Sequence, residues 1–194
     1  MKSKSDSFLS FRTHIESFVK LTDDEFSGIL EYFSFKKVKR KTHLVKAGGK
    51  VNSTYWVIKG LIASNFTDSK GKEHVIQVAR ENCWVTDQNA FYNQASAELD
   101  IVCMQDSELL SITFADREKL CDDVHKMANF FRKKANDSFV KQQRRMLTYL
   151  TADAQKRYDM LMSDDPEMFR RFSKKTLAAY LGVSRETLSR FGKS

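Results

Sequence analysis

Residues Lys174 to Lys193 read KKTLAAYLGVSRETLSRFGK, and the spacing within this stretch decides how the chain is read. Leu177, Ala178 and Leu181 recur at three and four, which predicts a helix from about Lys174 to Leu181 with one apolar face. Gly182 ends it, because glycine takes the left-handed backbone past a helix end without a β-carbon clash. Ser184 is placed to cap a second helix, with Glu186 in its first turn and Leu188 and Phe191 returning to the first helix. Ala178 is small enough for a close crossing, and Arg185, Glu186, Thr187 and Arg190 face outward. A solvated helical hairpin would need none of this agreement. The full set of positions is that of a helix-turn-helix suited to reading DNA.

Charge supports an anionic partner. The 194 residues hold 33 Lys and Arg against 25 Asp and Glu, a net of +8, of which residues 141–194 carry +6 and residues 1–140 only +2. Arg170, Arg171, Lys174 and Lys175 stand where contacts to DNA phosphates would be useful.

A hydrophobic content of 41% can bury a sizeable core in one or two domains. The N-terminal MKSKSDSFLSF lacks the pattern of a signal peptide, and no apolar run reaches the ~18 residues of a membrane span, so a soluble, cytoplasmic protein with no membrane partner is expected. Cys83, Cys103 and Cys121 fit neither a disulfide framework nor a metal or redox motif and are expected to be reduced and mostly buried. His14, His43, His74 and His125 lack HExxH spacing or a paired nucleophile, and no phosphate-cradling glycine motif occurs. No catalytic and no metal-binding residues are assigned, and the chain is not expected to be an enzyme.

Two helices are expected between Ser10 and Phe33, with Thr22 as the N-cap between them. From Phe35 short aromatic and β-branched segments separated by turns predict a sandwich or barrel, and beyond Phe114 the chain turns helical again. Val124, Ala128, Phe131, Ala135, Phe139, Gln142, Met146 and Tyr149 form one stripe of a long amphipathic helix. It is expected to pack against a second copy, with Ala128, Phe131, Ala135 and Phe139 at the seam, the alternative being that it covers its own β domain.

This order of parts resembles the transcription regulators of the cyclic-AMP receptor protein and Fnr family over nearly the whole chain. The most specific piece is GVSRETLSR, Gly182 to Arg190, similar to the family's recognition helix. YWVIKGLIASNF, Tyr55 to Phe66, and DSELLSI, Asp106 to Ile112, look like its β-roll strands. The resemblance implies an α+β fold: N-terminal helices, a jelly-roll-like double-stranded β-helix, a long dimerisation helix and a C-terminal winged helix-turn-helix. It divides the chain into a sensor domain at 1–123, a dimerisation helix at 124–151 and a DNA-binding domain at 152–194. It implies that Arg185, Glu186 and Arg190 read bases, an assignment consistent with arginine donating to guanine and glutamate accepting from cytosine. Ser184, Thr187, Lys174 and Lys175 would make further DNA contacts. The partners expected are double-stranded DNA and a second copy, with RNA polymerase as a further candidate.

Two departures bear on the effector. Cyclic-nucleotide binders of this family place Gly-Glu before a short helix and an arginine after it, whereas CWVTDQNAFYNQASAELD, Cys83 to Asp100, has neither glycine nor arginine. Val85, Thr86, Asp87, Gln88, Asn89, Ala97 and Glu98 are the expected pocket residues, and Asp87 and Glu98 would repel a phosphate. An unidentified small-molecule effector other than cyclic AMP is therefore expected, with no cofactor assigned. An iron-sulfur cluster is not expected either, since three cysteines fall short of four ligands. Only Phe191 to Ser194 follow Arg190, so the wing is expected to be missing or reduced. The alternative is a sensor or interaction module of the same fold that no longer binds DNA productively.

Overall fold

The structure, a computed structural model, describes residues 4–191. The expectation for the C-terminal end beyond Phe191 lies outside the described residues.

Two helices open the chain, α1 (Lys4–Glu16) and α2 (Asp23–Leu30). The start of α2 is fixed by a reciprocal cap: Thr22 Oγ1 accepts the Glu25 N–H at 3.2 Å, and Glu25 Oε2 accepts the Thr22 N–H at 2.8 Å. Eight strands follow, β1 (Ser34–Val38), β2 (His43–Val45), β3 (Ser53–Lys59), β4 (Ile62–Thr67), β5 (Glu73–Ala79), β6 (Trp84–Val85), β7 (Asp100–Cys103) and β8 (Ser107–Thr113), with the short helix α3 (Gln88–Asn93) between β6 and β7. They form two four-stranded sheets, ordered β1-β8-β3-β6 and β2-β7-β4-β5. The β-roll expected from the sequence is thus an open sandwich of two sheets rather than a closed roll.

Alternation along the strands sorts their side chains into two cores. On β3, Tyr55 and Val57 join a core with Ile62, Ile101 and Leu109, whereas Trp56 between them joins Leu110 and Ile112 under the helices. The second core takes in Phe11 and Ile15 of α1 and Phe26 and Ile29 of α2, all buried. Where β3 turns into β4, Gly60 has φ 125° and a Cβ there would overlap Ser107, so the turn admits only glycine.

The remainder is helical: α4 (Phe114–Asp123), α5 (His125–Thr151), α6 (Ala154–Asp164), α7 (Pro166–Arg171), α8 (Lys174–Leu181) and α9 (Arg185–Phe191). Val124, with φ −128° and ψ 89°, separates α4 from the 27 residues of α5. Of the described residues, 4–66 with 77–135 form one compact unit and 67–76 with 136–191 form another, so the boundary falls inside α5.

Within the first unit, Met127, Phe130 and Phe131 of α5 are buried. Phe131 meets Trp84 edge to face with ring centroids 5.8 Å apart and lies under the Arg117 guanidinium at 4.3 Å. It therefore packs into its own unit instead of lying on an outer seam, because the stripe that begins at Val124 first covers the helical core. Ala128 is half-buried and Ala135 exposed. Phe139, Met146 and Leu150 are 68%, 64% and 74% exposed, so the apolar face without a cover lies on the later turns. No helix among the described residues is long and apolar enough to cross a membrane.

Candidate nucleic-acid interface and effector pocket

In the second unit, Ser173 caps the start of α8, its hydroxyl accepting the Thr176 N–H at 3.1 Å, and Gly182 with φ 72° caps the end. The left-handed backbone selects glycine here; a Cβ would come within 2.8 Å of the Tyr149 hydroxyl, the end of an exposed side chain that can move aside. Ser184 Oγ accepts the Thr187 N–H at 3.1 Å and sets the start of α9. Leu177, Ala178, Leu181 and Leu188 are buried between and beneath the two helices with Met168 and Phe172. Tyr158 of α6 closes the unit, its ring 5.4 Å from Phe191 and 5.0 Å from Phe169. Arg157 reinforces the turn, donating to the carbonyls of Ala152 at 2.8 Å and Leu181 at 3.2 Å while its guanidinium lies 4.8 Å from the Tyr149 ring.

The residues left outside are Ser184, Arg185, Glu186 and Arg190, all exposed, with Thr187 half-buried. The Glu186 carboxyl is held below the usual glutamate range, first by its own backbone N–H and then by the Ser184 hydroxyl and the Arg185 charge. It is an ionised acceptor at neutral pH. Arg190 Nη2 donates to Thr187 Oγ1 at 3.2 Å, which ties the second arginine one turn back along α9. Lys174 and Lys175 are exposed at the start of α8. Lys175 is ion-paired with Glu73 at 2.7 Å, and Arg145 of α5 lies over the Tyr180 ring at 4.2 Å while donating to the carbonyls of Val75 and Ile76. Sequence spacing could not have revealed these links to the β5 end, since the partners lie about a hundred residues away or on another element.

The expected effector residues gather around α3 in the first unit. Asp87 is 3% exposed and makes three hydrogen bonds: Oδ1 accepts the Ala90 N–H at 3.1 Å, and Oδ2 accepts the N–H groups of Glu98 at 2.8 Å and Leu99 at 3.1 Å. This carboxylate caps α3 and pins the chain where it enters β7. It therefore points into the backbone of the loop instead of standing in the pocket as a free repelling charge. Val85, Thr86 and Ala97 are also buried, while Gln88, Asn89 and Glu98 are exposed. Thr86 Oγ1 donates to the Ser53 carbonyl at 3.1 Å. Among the described residues, no group of three or more His, Cys, Asp or Glu could hold a metal ion.

Residues 35–123 match the cyclic nucleotide-binding domain family. No curated protein matches the chain in sequence. Several solved structures share its fold. The c-di-GMP responsive global regulator CLP of Xanthomonas campestris aligns over 89% of this chain and 90% of its own at 18% identity, with a TM-score of 0.70. The catabolite activator protein of Thermus thermophilus aligns over 91% and 84% at 19% identity and a TM-score of 0.58. A putative transcriptional regulator of the Crp/Fnr family from Eubacterium rectale aligns over 88% and 82% at 15% identity and a TM-score of 0.68. By their names these are regulators and not enzymes. The chain thus carries a cyclic nucleotide-binding type of domain at residues 35–123 and, over most of its length, the fold seen in solved regulators of the Crp/Fnr type.

Proposed function

We propose that this protein is a DNA-binding transcription regulator that acts as a dimer and reads a palindromic site through α9. The observation that carries the reading is the α8–α9 pair. Its turn is fixed by Gly182 and Ser184, its inner face is closed by Leu177, Ala178, Leu181 and Leu188, and its outer face presents Arg185, Glu186 and Arg190. A second helix so mounted is suited to the major groove, where arginine donates to guanine and an ionised glutamate accepts from cytosine. The exposed turns of α5 around Phe139, Met146 and Leu150 supply the face for the second copy, and two-fold symmetry would match a palindrome.

Domain roles follow the same division: residues 1–123 as sensor, 124–151 as dimerisation helix and 152–194 as DNA-binding domain. The effector bound beside α3 is a small molecule other than a cyclic nucleotide. The amides of Ala90, Glu98 and Leu99 that could hold a cyclic phosphate already bond Asp87, and the stretch from Cys83 to Asp100 offers no arginine to replace them. Selection of bound duplexes from a randomised pool, followed by sedimentation of the complex, tests the reading. It predicts enrichment of an inverted repeat bound by two copies. No enrichment over the starting pool would favour the alternative of a sensor module without productive DNA binding.

A further inference from the structure

We propose that His14 is a proton-operated latch between α1 and β6, closed while its imidazole is neutral and opened by acid. Every group involved belongs to the first unit, so the latch stands apart from the reading of α9. Trp84 Nε1–H donates to His14 Nε2 at 3.2 Å. An indole N–H can only donate, so the nitrogen facing it carries a lone pair, and a protonated imidazole has none to give. Taking up a proton sets two donors against each other and breaks the bond.

His14 lies among rings, with centroids 5.7 Å from Phe130, 6.0 Å from Trp56 and 6.1 Å from Phe18. Trp56 Nε1, buried in this cluster, has no hydrogen-bond partner among the described residues, so acceptors are already scarce there. His14 and Trp84 are both half-buried, open enough for a proton to arrive from water. Among the described residues on α1, Arg12 pairs with Glu16 at 2.9 Å and also with Asp23. From α5, Lys133 donates to the Phe18 carbonyl at 2.9 Å, Lys134 stands 5.9 Å from the Phe18 ring, and Lys126 pairs with Glu25 at 2.7 Å. β6 carries no charged residue, and β3 carries only the exposed Lys59 at its end. These carboxylates are thus already paired, and the two lysines at Phe18 oppose a further positive charge.

What the latch holds is Trp84. Its ring also meets Phe11 of α1 at 6.1 Å, Phe33 at 6.2 Å and Phe131 of α5 at 5.8 Å, so α1, the entry to β1 and the first turns of α5 share one indole. The folded cluster favours neutral imidazole, whereas a histidine in the unfolded chain takes a proton near pH ~6.5. The contribution of the bond is therefore present above that pH and lost progressively below it. His74 and His43 have the opposite sense, since their Nε2 atoms lie 2.9 Å from Asp68 and 3.9 Å from Asp100, where a proton strengthens the contact.

The test uses the nitrogen-labelled full chain, whose two tryptophans give two indole N–H resonances, with the Trp84 signal assigned by its loss in Trp84→Phe. Between about pH 8 and about pH 5 that signal should shift with the same midpoint as the His14 imidazole. His14→Gln keeps an acceptor for the indole and does not titrate, so its Trp84 signal should stay in place. Its melting temperature should fall by about 2–4 °C less than that of the parent over the same range, the other histidines being common to both. At the acid end, amide protons of α1 and of Phe130 and Phe131 should exchange severalfold faster in the parent than in His14→Gln. A Trp84 signal in the folded parent that does not move, that moves alike in His14→Gln, or that moves with no difference in exchange overturns the proposal. Should His14→Gln fail to fold, the parent decides: separate midpoints for Trp84 and His14 overturn it.

Discussion

Lys175 Nζ lies 2.7 Å from a carboxylate oxygen of Glu73, so one of the two lysines proposed to contact the DNA backbone is held at the start of β5. The side chains are 72% and 49% exposed, and a pair so wet is worth less than about 1 kcal/mol. Glu73→Gln should therefore tighten random and selected duplexes alike, by less than about fivefold. Lys174→Ala, with no ion pair among the described residues to give up, should weaken both duplexes more than Lys175→Ala does. Anisotropy at low salt reads both effects, and equal losses for the two lysines would mean that the Glu73 pair does not compete with phosphate.

Asp87 supports a different expectation, because a buried carboxylate with three N–H donors holds two segments together. Asp87→Ala would leave the amides of Ala90, Glu98 and Leu99 without their acceptor, at a cost of about 3 kcal/mol in urea unfolding. Calorimetry on the parent should show no binding of cyclic AMP or cyclic GMP at micromolar concentration. A micromolar dissociation constant for either would require the Asp87 bonds to open and would remove the proposed effector class.

Gly182→Ala carries chiefly the penalty of a left-handed backbone at φ 72°, with a smaller steric part from a Cβ within 2.8 Å of the exposed Tyr149 hydroxyl. The loss expected is about 2 kcal/mol. Adding Tyr149→Ala should relieve the steric part, leaving the backbone part in place, although it also removes the ring beneath Arg157. Thermal unfolding of the single and double variants checks this, and a Gly182→Ala protein as stable as the parent would mean that the α8–α9 turn relaxes freely.

What could be read from the sequence was local. The Thr22 cap, the end of α8 at Gly182 and the Ser184 cap are each set by residues within a few positions, so spacing and backbone preference were enough. The α5 stripe shows where that reasoning stops: a 3.6-residue period marks an apolar face but not what covers it, and Phe131 turned inward while Phe139 remained exposed. Asp87 was legible as a charge but not as a direction, and its carboxylate bonds the loop amides. Seven lysines and arginines within residues 36–50 were hidden by averaging. Residues 1–140 net only +2 because the +8 of residues 32–67 is offset by 19 acidic against 13 basic residues elsewhere in that span.

The inward turn of Phe131 also separates two variants that the sequence alone would have treated as equivalent. Phe139→Glu, at a position 68% exposed, should keep the fold and shift sedimentation equilibrium from dimer toward monomer, with operator affinity falling in step. Phe131→Glu should instead lower thermal stability by several kcal/mol, since it buries a charge beside Trp84 and Phe130. A folded Phe139→Glu protein that stays dimeric would move the interface off these turns of α5.

The central claim is that α9 reads base sequence, and the most direct measurement is the ratio of affinities for selected and random duplexes before and after Arg185→Ala. The account predicts a loss of about 1–3 kcal/mol on the selected duplex, a much smaller loss on random DNA, and the same pattern for Arg190→Ala. Equal losses on both duplexes would contradict it.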